Sequence, residues 1–497
     1  MKKTYLSQHI STIYICIMFI LFPLIMHNKL FDIVETKRNW FVGFTISFTI
    51  LCLLSALSTR QKIRLKPSLQ DYFMLGFILI NIFSYIFTSR KDIALYGTEG
   101  RAFGLFTIIF IGISYFLITR FCTINKYIFT GIMFGSSIVS VNGILNFFGI
   151  DPFGIYTHMA SYQTDFYIAT LGHTNIYSSF FSLTLPIGIV LYIKSINNKT
   201  QLFYLITSLI SFIGLVVGNS DSGYITIGVI LLTIPLLLKS HIELVRLCFF
   251  LICGIILSRL IGIMYVLMEC ERVIDSLTSI LLMSNYILPI AIILLIFMLF
   301  IIIQIKQNKN TFNKIRMLIY ILNGVIAIAI ITIFLFANIN GYNGKLHNLL
   351  VWSDNWGSNR GFIWTRGFLL FTKYYRPLEI IFGCGPDSIK PLLDLHFGYE
   401  MGTGVFENYD NVHNEYLQYL LTLGISGLVS YLSLIISTIK KRMNDISNNV
   451  IYMSLFVSMI CYTLQALVNI NQAVTTPLFF IIVALLNIGT YIKQISD

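Results

Sequence analysis

The chain has 497 residues, 56% of them hydrophobic and only 11% charged, with a mean hydropathy of +0.79. That leaves too little polar material to coat a soluble globule, so lipid is the solvent for most of the chain. The net charge of +12 does not signal nucleic acid: the basic residues lie in short clusters between apolar runs, with no basic helix or RNA-binding motif.

In chain order, Lys2 and Lys3 precede an apolar run from about Ile10 to Met26 that no small-residue cleavage site follows, so a retained first span is expected. A bilayer core takes roughly 20 apolar residues per helix. Fourteen runs approach that length, near 9–27, 40–58, 72–88, 103–119, 128–149, 174–193, 202–218, 223–238, 246–267, 285–304, 317–338, 414–437, 450–468 and 474–492. With a cytoplasmic N-terminus, the inner loops hold Lys2, Lys3, Arg60, Lys62, Arg64, Lys66, Arg120, Lys126, Lys194, Lys199, Lys239, Arg246, Lys306, Lys309, Lys314, Arg316, Lys440, Lys441, Arg442 and Lys493, which is 20 basic residues. The short outer loops hold only Lys29, Lys37, Arg38, Arg90, Lys91, Arg101 and Arg272, which is 7. Short cytoplasmic loops retain positive charge, so both termini are expected inside. The eight cysteines form no CxxC pair, and Cys16, Cys52, Cys248, Cys253, Cys270 and Cys461 lie in or at the ends of apolar segments. They read as small core residues rather than zinc ligands or a disulfide framework.

One long hydrophilic connection, 339–412, is then extracytoplasmic, and loops of that size are uncommon unless functional. Within it a helix is expected over about 359–375, where Trp364, Phe368, Phe371 and Tyr375 recur at helical spacing as an apolar stripe suited to a membrane surface. Arg360 falls on that apolar side, where a charge needs a partner, and so stands out as a functional candidate.

Polar motifs gather at the outer helix ends: YGTEGRAFG at 96–104, GHTN at 172–175, NSDSG at 219–223, RGFIWTR at 360–366, FGCGPD at 382–387 and HNEYLQYLLTLGISG at 413–427. At about 100° per residue, Leu420, Gly424 and Gly427 share a helix face with His413, so a neighbouring helix can approach at the glycines and aim the imidazole into the bundle mouth. Asn414 and Glu415 add hydrogen-bonding capacity. His173 and Asn175 serve equally as caps or as substrate contacts. Asp387 either orients an arginine or faces water. Gly383, Gly385 and Pro386 read as turn formers.

These motifs resemble the O-antigen ligase and O-antigen polymerase superfamily. The ligase signature of His, then Asn, Ser or Gln, nine residues, Gly, two residues and Gly is matched by His413, Asn414, Gly424 and Gly427. GHTN, RGFIWTRGFLLFTK with FGCGPD, and the large loop before the histidine add to the likeness, which runs over about 95–485. The resemblance implies a glycosyltransferase without metal or other cofactor that takes a glycan from an undecaprenyl diphosphate carrier to a glycan, lipid or cell-wall acceptor. On this reading Arg360 and Arg366 meet the diphosphate, with Arg101 as a further cation, and His413 serves as base or as diphosphate ligand. Many family members carry Ser-Arg-Gly where this chain has Ser220, Asp221, Ser222 and Gly223, which makes Arg259, an intramembrane arginine, a candidate substitute or else a partner of a carboxylate such as Asp221.

The expected fold is all-α: one integral membrane domain over 1–497, a bundle of fourteen helices, or twelve if two short segments are re-entrant. A ligase, a repeat-unit polymerase and a flippase or other transporter remain as readings. Transporters usually show related halves and midplane polar groups, whereas the polar motifs here cluster at one end.

Overall fold

A computed structural model describes residues 5–59, 66–307, 311–344, 346–402 and 409–489. Lys2, Lys3, Arg60, Lys62, Arg64, Lys309 and Lys493 of the charge pattern lie outside the described residues, as do residues 345 and 403–408 of the long connection. Each expected apolar run forms a helix. Leu6–Ile20, Ile33–Thr59, Leu69–Phe87, Leu105–Phe121, Lys126–Phe147, Thr174–Lys194 and Asn198–Val217 are followed by Asp221–Leu237, His241–Leu267, Ile287–Lys306, Phe312–Ile339, Glu415–Arg442, Val450–Gln465 and Thr476–Asn487. Among the described residues, ten helices are long and apolar enough to cross a membrane. Leu105–Phe121, Asp221–Leu237, Val450–Gln465 and Thr476–Asn487 are shorter.

Thr174–Lys194 is the central helix, buried along almost its whole length between Val450–Gln465, Asn198–Val217, Lys126–Phe147 and Asp221–Leu237. Hydroxyls tie these helices together: Ser136 bonds Thr184 and Ser211, both at 2.8 Å. Such contacts and close packing, rather than hydrophobicity, hold helices together in lipid. At the periphery, Phe312–Ile339 exposes Ile328, Ile330, Ile331 and Phe336 at 59–68%. An apolar surface of that extent is stable against lipid tails, and its fully hydrogen-bonded helical backbone can face them.

Lys37 departs from the outer-loop expectation. It lies inside Ile33–Thr59, fully buried, and its Nζ donates to the carbonyls of Phe22 at 3.1 Å, Pro23 at 2.9 Å and Ile25 at 2.9 Å. It thus satisfies carbonyls left open where the first helix ends.

In the long connection, the segment Trp356–Leu369 includes Gly357, Ser358 and Asn359 at positive φ, so regular helix starts at Arg360. It ends in one wide π turn, Leu370–Tyr374. The expected stripe is one for the membrane surface and marks no protein-facing side. Phe362, Ile363, Gly367 and Leu370 are buried, whereas Phe368 of the expected stripe is 59% exposed. The reason is tertiary. The helix packs into a second small core with Cys384, Ile389, Leu393, Phe397, Val412 and Leu421, so protein contacts choose the face. Trp364 instead joins a ring cluster with Trp352 and Trp356, centroids 5.0–6.0 Å apart.

Candidate functional site

The helical-face expectation for His413 is corrected by the backbone. His413 has φ 47° and lies before the helix; Asn414 is the cap, accepting at 3.0 Å from the backbone N–H of Tyr416 and of Leu417. The helix is also broken at Gly424, where φ is 69°. A continuous helical wheel therefore does not connect His413 to the glycines.

The glycines admit a loop instead of a helix. A Cβ on Gly424 would lie 2.3 Å from the carbonyl carbon and oxygen of Ile381, and one on Gly383 would lie 2.1 Å from the carbonyl carbon of Thr422. The break frees two carbonyls of the preceding turn, and the FGCGPD loop takes them. Cys384 N–H donates to Leu421 O and Gly385 N–H to Thr422 O, both at 3.1 Å. Tyr375 Oη adds a bond to Leu421 O at 2.8 Å, and Ser84 Oγ one to Thr422 O at 2.8 Å. Cys384 is buried in this seam as a free thiol, its pKa pushed up to about 12 by burial. The loop that leads to Asp387 is thereby fixed against the helix that follows His413.

Arg360 is held by main chain. Its Nε donates to Val468 O at 3.1 Å and its Nη1 to Gly357 O at 2.8 Å. Burial lowers its pKa, with the charges of Asp221 and Tyr409 opposing. Its positive charge reaches both histidines. His413 is pushed down to about 3 by burial first, then by Arg360, His173 and Arg101. His173 is pushed down to about 4 by burial and Arg360, with Asp410 opposing. Both imidazoles are therefore neutral near pH 7, and each keeps one ring nitrogen able to accept. Of His173, Nδ1 already accepts from Asn175 N–H at 3.1 Å, which caps Thr174–Lys194. Tyr409 sets its ring edge-on to His413 at 5.8 Å, and Asn411 Oδ1 receives the His413 N–H at 2.8 Å.

Arg101 and Asp387 form a buried pair, Nε to Oδ1 at 3.0 Å, with side chains 1% and 0% exposed. Asp387 Oδ2 also accepts from Thr98 N–H at 2.8 Å and Thr98 Oγ1 at 3.0 Å. Burial raises the Asp387 pKa, while Arg101 and Thr98 hold it down. Of the two sequence alternatives for Asp387, the arginine is the one realised. Arg101 also bonds Asn471 Oδ1. Among the described residues its Nη1 has no hydrogen-bond partner, nor do Asn81 Oδ1 and Gln418 Nε2, and all three residues line one small cavity.

The other candidates are occupied elsewhere. Asn175 Oδ1 accepts from Ser220 at 2.7 Å and Ser222 at 3.3 Å, joining GHTN to NSDSG. Glu415 is buried among tyrosines, accepting from Tyr431 at 2.9 Å and Tyr462 at 3.2 Å. Arg366 is bound by two carboxylates, Asp354 and Glu400, both at 2.7 Å, and lies 4.2 Å over the Phe362 ring. Arg259 bonds neither Asp221 nor any member of the Arg360 cluster; it donates to Leu282 O at 2.7 Å and Asn285 Oδ1 at 3.3 Å.

The turn between Val450–Gln465 and Thr476–Asn487 was missed by sequence reasoning, yet it meets Arg360, Glu415, Asn175 and Arg101. Val468 O holds Arg360, Ala466 O accepts from Glu415 N–H at 2.9 Å, and Asn469 Nδ2 reaches Asn175 O at 3.0 Å. Asn471 meets Arg101, whose own carbonyl accepts from Ala473 N–H at 3.0 Å. The available signal was the polar group Asn469, Asn471 and Gln472 between two apolar runs.

Most of the positive-φ residues other than glycine lie in or beside these motifs. Ala102, Ala169, Asn219, Ser358, Asn359, Asp387 and His413 all have φ between 47° and 66°. Each such non-glycine residue costs about 1–3 kcal/mol and persists only where its surroundings fix it, as at functional sites.

Residues 273–432 match the family model described as O-antigen ligase. That span, about a third of the chain, includes Arg360, Arg366, Asp387, His413, Gly424 and Gly427, and excludes Arg101, His173, Asn175 and Arg259. No curated protein matches the chain. Residues 273–432 of this multi-pass membrane chain thus carry an O-antigen ligase domain.

Proposed function

We propose that the protein is a ligase-type glycosyltransferase that moves a glycan from an undecaprenyl diphosphate carrier to an acceptor on the outer face of the cytoplasmic membrane. In the reaction the bond between the anomeric carbon and the diphosphate oxygen breaks, and the acceptor hydroxyl forms the new glycosidic bond. Its proton leaves with the transfer, and the carrier is released as lipid diphosphate. The observation that carries this reading is the grouping of Arg360 with two neutral histidines, His413 and His173. A guanidinium partly withdrawn from water stabilises charge growing on the departing diphosphate, and a neutral imidazole can accept the hydroxyl proton. Outward placement is supported by the charge bias of the loops.

Arg101, set by Asp387, is a second cation toward the diphosphate, and His173 lines the donor side. Arg366, Asn175, Asn414 and Glu415 support the site through the loop and helix ends they fix. Arg259 is assigned to the packing of the helix that follows it.

The test is complementation of a deletion strain. His413→Ala and Arg360→Ala, present at normal levels, are expected to leave the surface glycan missing; its full return with both variants sinks the assignment. A polymerase of the same superfamily is the second reading, favoured by nothing in the site's geometry over the first. Lipid-linked glycans in the deletion strain separate them: long stranded chains mark a ligase, single repeat units a polymerase.

A further inference from the structure

A cavity of about 490 Å³ opens beside the His173 strand, between the end of Lys126–Phe147, the loop reaching Asp165, and the turn after His241–Leu267. Its volume lies in the usual range for small-molecule sites. Its Arg272 links it to the proposed site. Arg272 donates to Tyr156 Oη at 3.2 Å and to the carbonyls of Asp165 and Tyr167, both at 3.0 Å. Tyr167 pairs with His173 across a two-residue antiparallel ladder, and their rings meet edge-on at 5.8 Å.

Charge separates the two regions. The cavity wall carries Asp165, Glu269 and Glu271 against Arg272, while Arg360 dominates around the histidines. The Arg272 guanidinium is engaged by a hydroxyl and two carbonyls, which do not neutralise it, so the wall carries three negative charges and one positive. A diphosphate is repelled there, whereas sugar hydroxyls and amines donate well to carboxylates. Glu269 and Glu271 are exposed, and Glu269 is held at φ 49°, a conformation that costs energy in a non-glycine residue. Phe148 and Tyr156, both half-buried, supply apolar ring surface on the same wall.

We infer that this cavity is a subsite for the acceptor, taking the uncharged or amine-bearing end of a glycan and rejecting anionic ones. The inference rests on the transfer reading above. It divides the two substrates by charge: the lipid diphosphate lies toward Arg360, and the acceptor sugar approaches from the Glu269–Arg272 side.

The experiment uses the full chain in nanodiscs, with lipid-linked glycan as donor and the mild-acid-released neutral glycan of the source cells as acceptor. Glu269→Gln with Glu271→Gln is expected to raise the acceptor KM about five- to tenfold, the loss of two charge-assisted hydrogen bonds, with the donor KM unchanged. An unchanged acceptor KM, or an equal rise in both, overturns the subsite. Binding is read separately through Cys270, a half-buried free thiol on the cavity wall. The neutral glycan should slow its alkylation, followed on its peptide by mass spectrometry, while an oligomer of uronic acids should not. Equal rates with and without neutral glycan overturn the subsite even if transfer is intact. Protection of Cys270 in a wild-type chain that transfers nothing upholds the cavity and removes the transfer reading instead.

Discussion

Gly383 and Gly424 lie back to back across a seam in which the main chain of the FGCGPD loop touches the main chain of a broken helix. Neither has room for a methyl group, and both hold positive φ, 76° and 69°.

Gly424→Ala is therefore expected to destabilise the fold by roughly 3–5 kcal/mol, from strain at positive φ plus overpacking. Gly427→Ala should cost less, because Gly427 is not at positive φ and only overpacking acts there: the added methyl meets Leu423 Cβ, which is fixed to its backbone. Thermal unfolding in detergent ranks the two. Equal losses would show that the seam is not what Gly424 serves.

Arg360 and Arg366 should part company. Replacing Arg360 by Ala is expected to lower transfer by about 100-fold or more, the scale of losing one donor to developing charge. Lysine should not rescue it, since an ammonium cannot reproduce the fork toward Val468 and Gly357. Arg366→Ala breaks pairs whose carboxylates are 42% and 45% exposed, so its cost to stability is about 1 kcal/mol or less. Transfer rates normalised to protein level distinguish the two arginines.

The pH response follows from the histidines. An unfolded chain binds protons at His413 below its ordinary value of 6.5, whereas the folded chain does so only near 3. Between those limits the unfolded state holds more protons, so stability falls as pH falls, beginning near 6.5. His173, at about 4, adds to the slope. Melting temperatures over pH 4.5–7.5 should drop toward acid, with a shallower slope in His413→Gln. The same neutrality predicts no inflection in kcat/KM near pH 6.5 and an acid limb displaced well below it.

The buried Arg101–Asp387 pair gives a non-additive signature. Removing either partner leaves an uncompensated buried charge, at a cost of roughly 3–5 kcal/mol. The double variant Arg101→Met with Asp387→Leu should be more stable than either single one. Additive losses would mean that the two charges are not coupled in the folded protein.

Much of the bundle was legible because its helices are written as long apolar runs, and Lys and Arg punctuate them. Arg101, Arg360 and His413 were legible as polar residues placed where apolar helices do not need them. The His413 backbone was not: a helical wheel presumes regular φ, and the positive φ of His413 and Gly424 arises from loop docking that leaves no periodic trace. The protein-facing side of 360–374 was not legible, because tertiary contacts with Leu393, Phe397 and Leu421, distant in sequence, select it. Lys37 was misplaced for a related reason, since the carbonyls it caps lie 12–15 residues earlier.

The turn at 466–474 grips Arg360 and Glu415 by carbonyl oxygens that every residue type possesses. No side-chain replacement at Ala466 or Val468 deletes those acceptors. Mutational scans should pass over both positions as tolerant while the geometry there remains indispensable. Insertion or deletion of a single residue, which slides the carbonyls out of register, is the change that would expose their role.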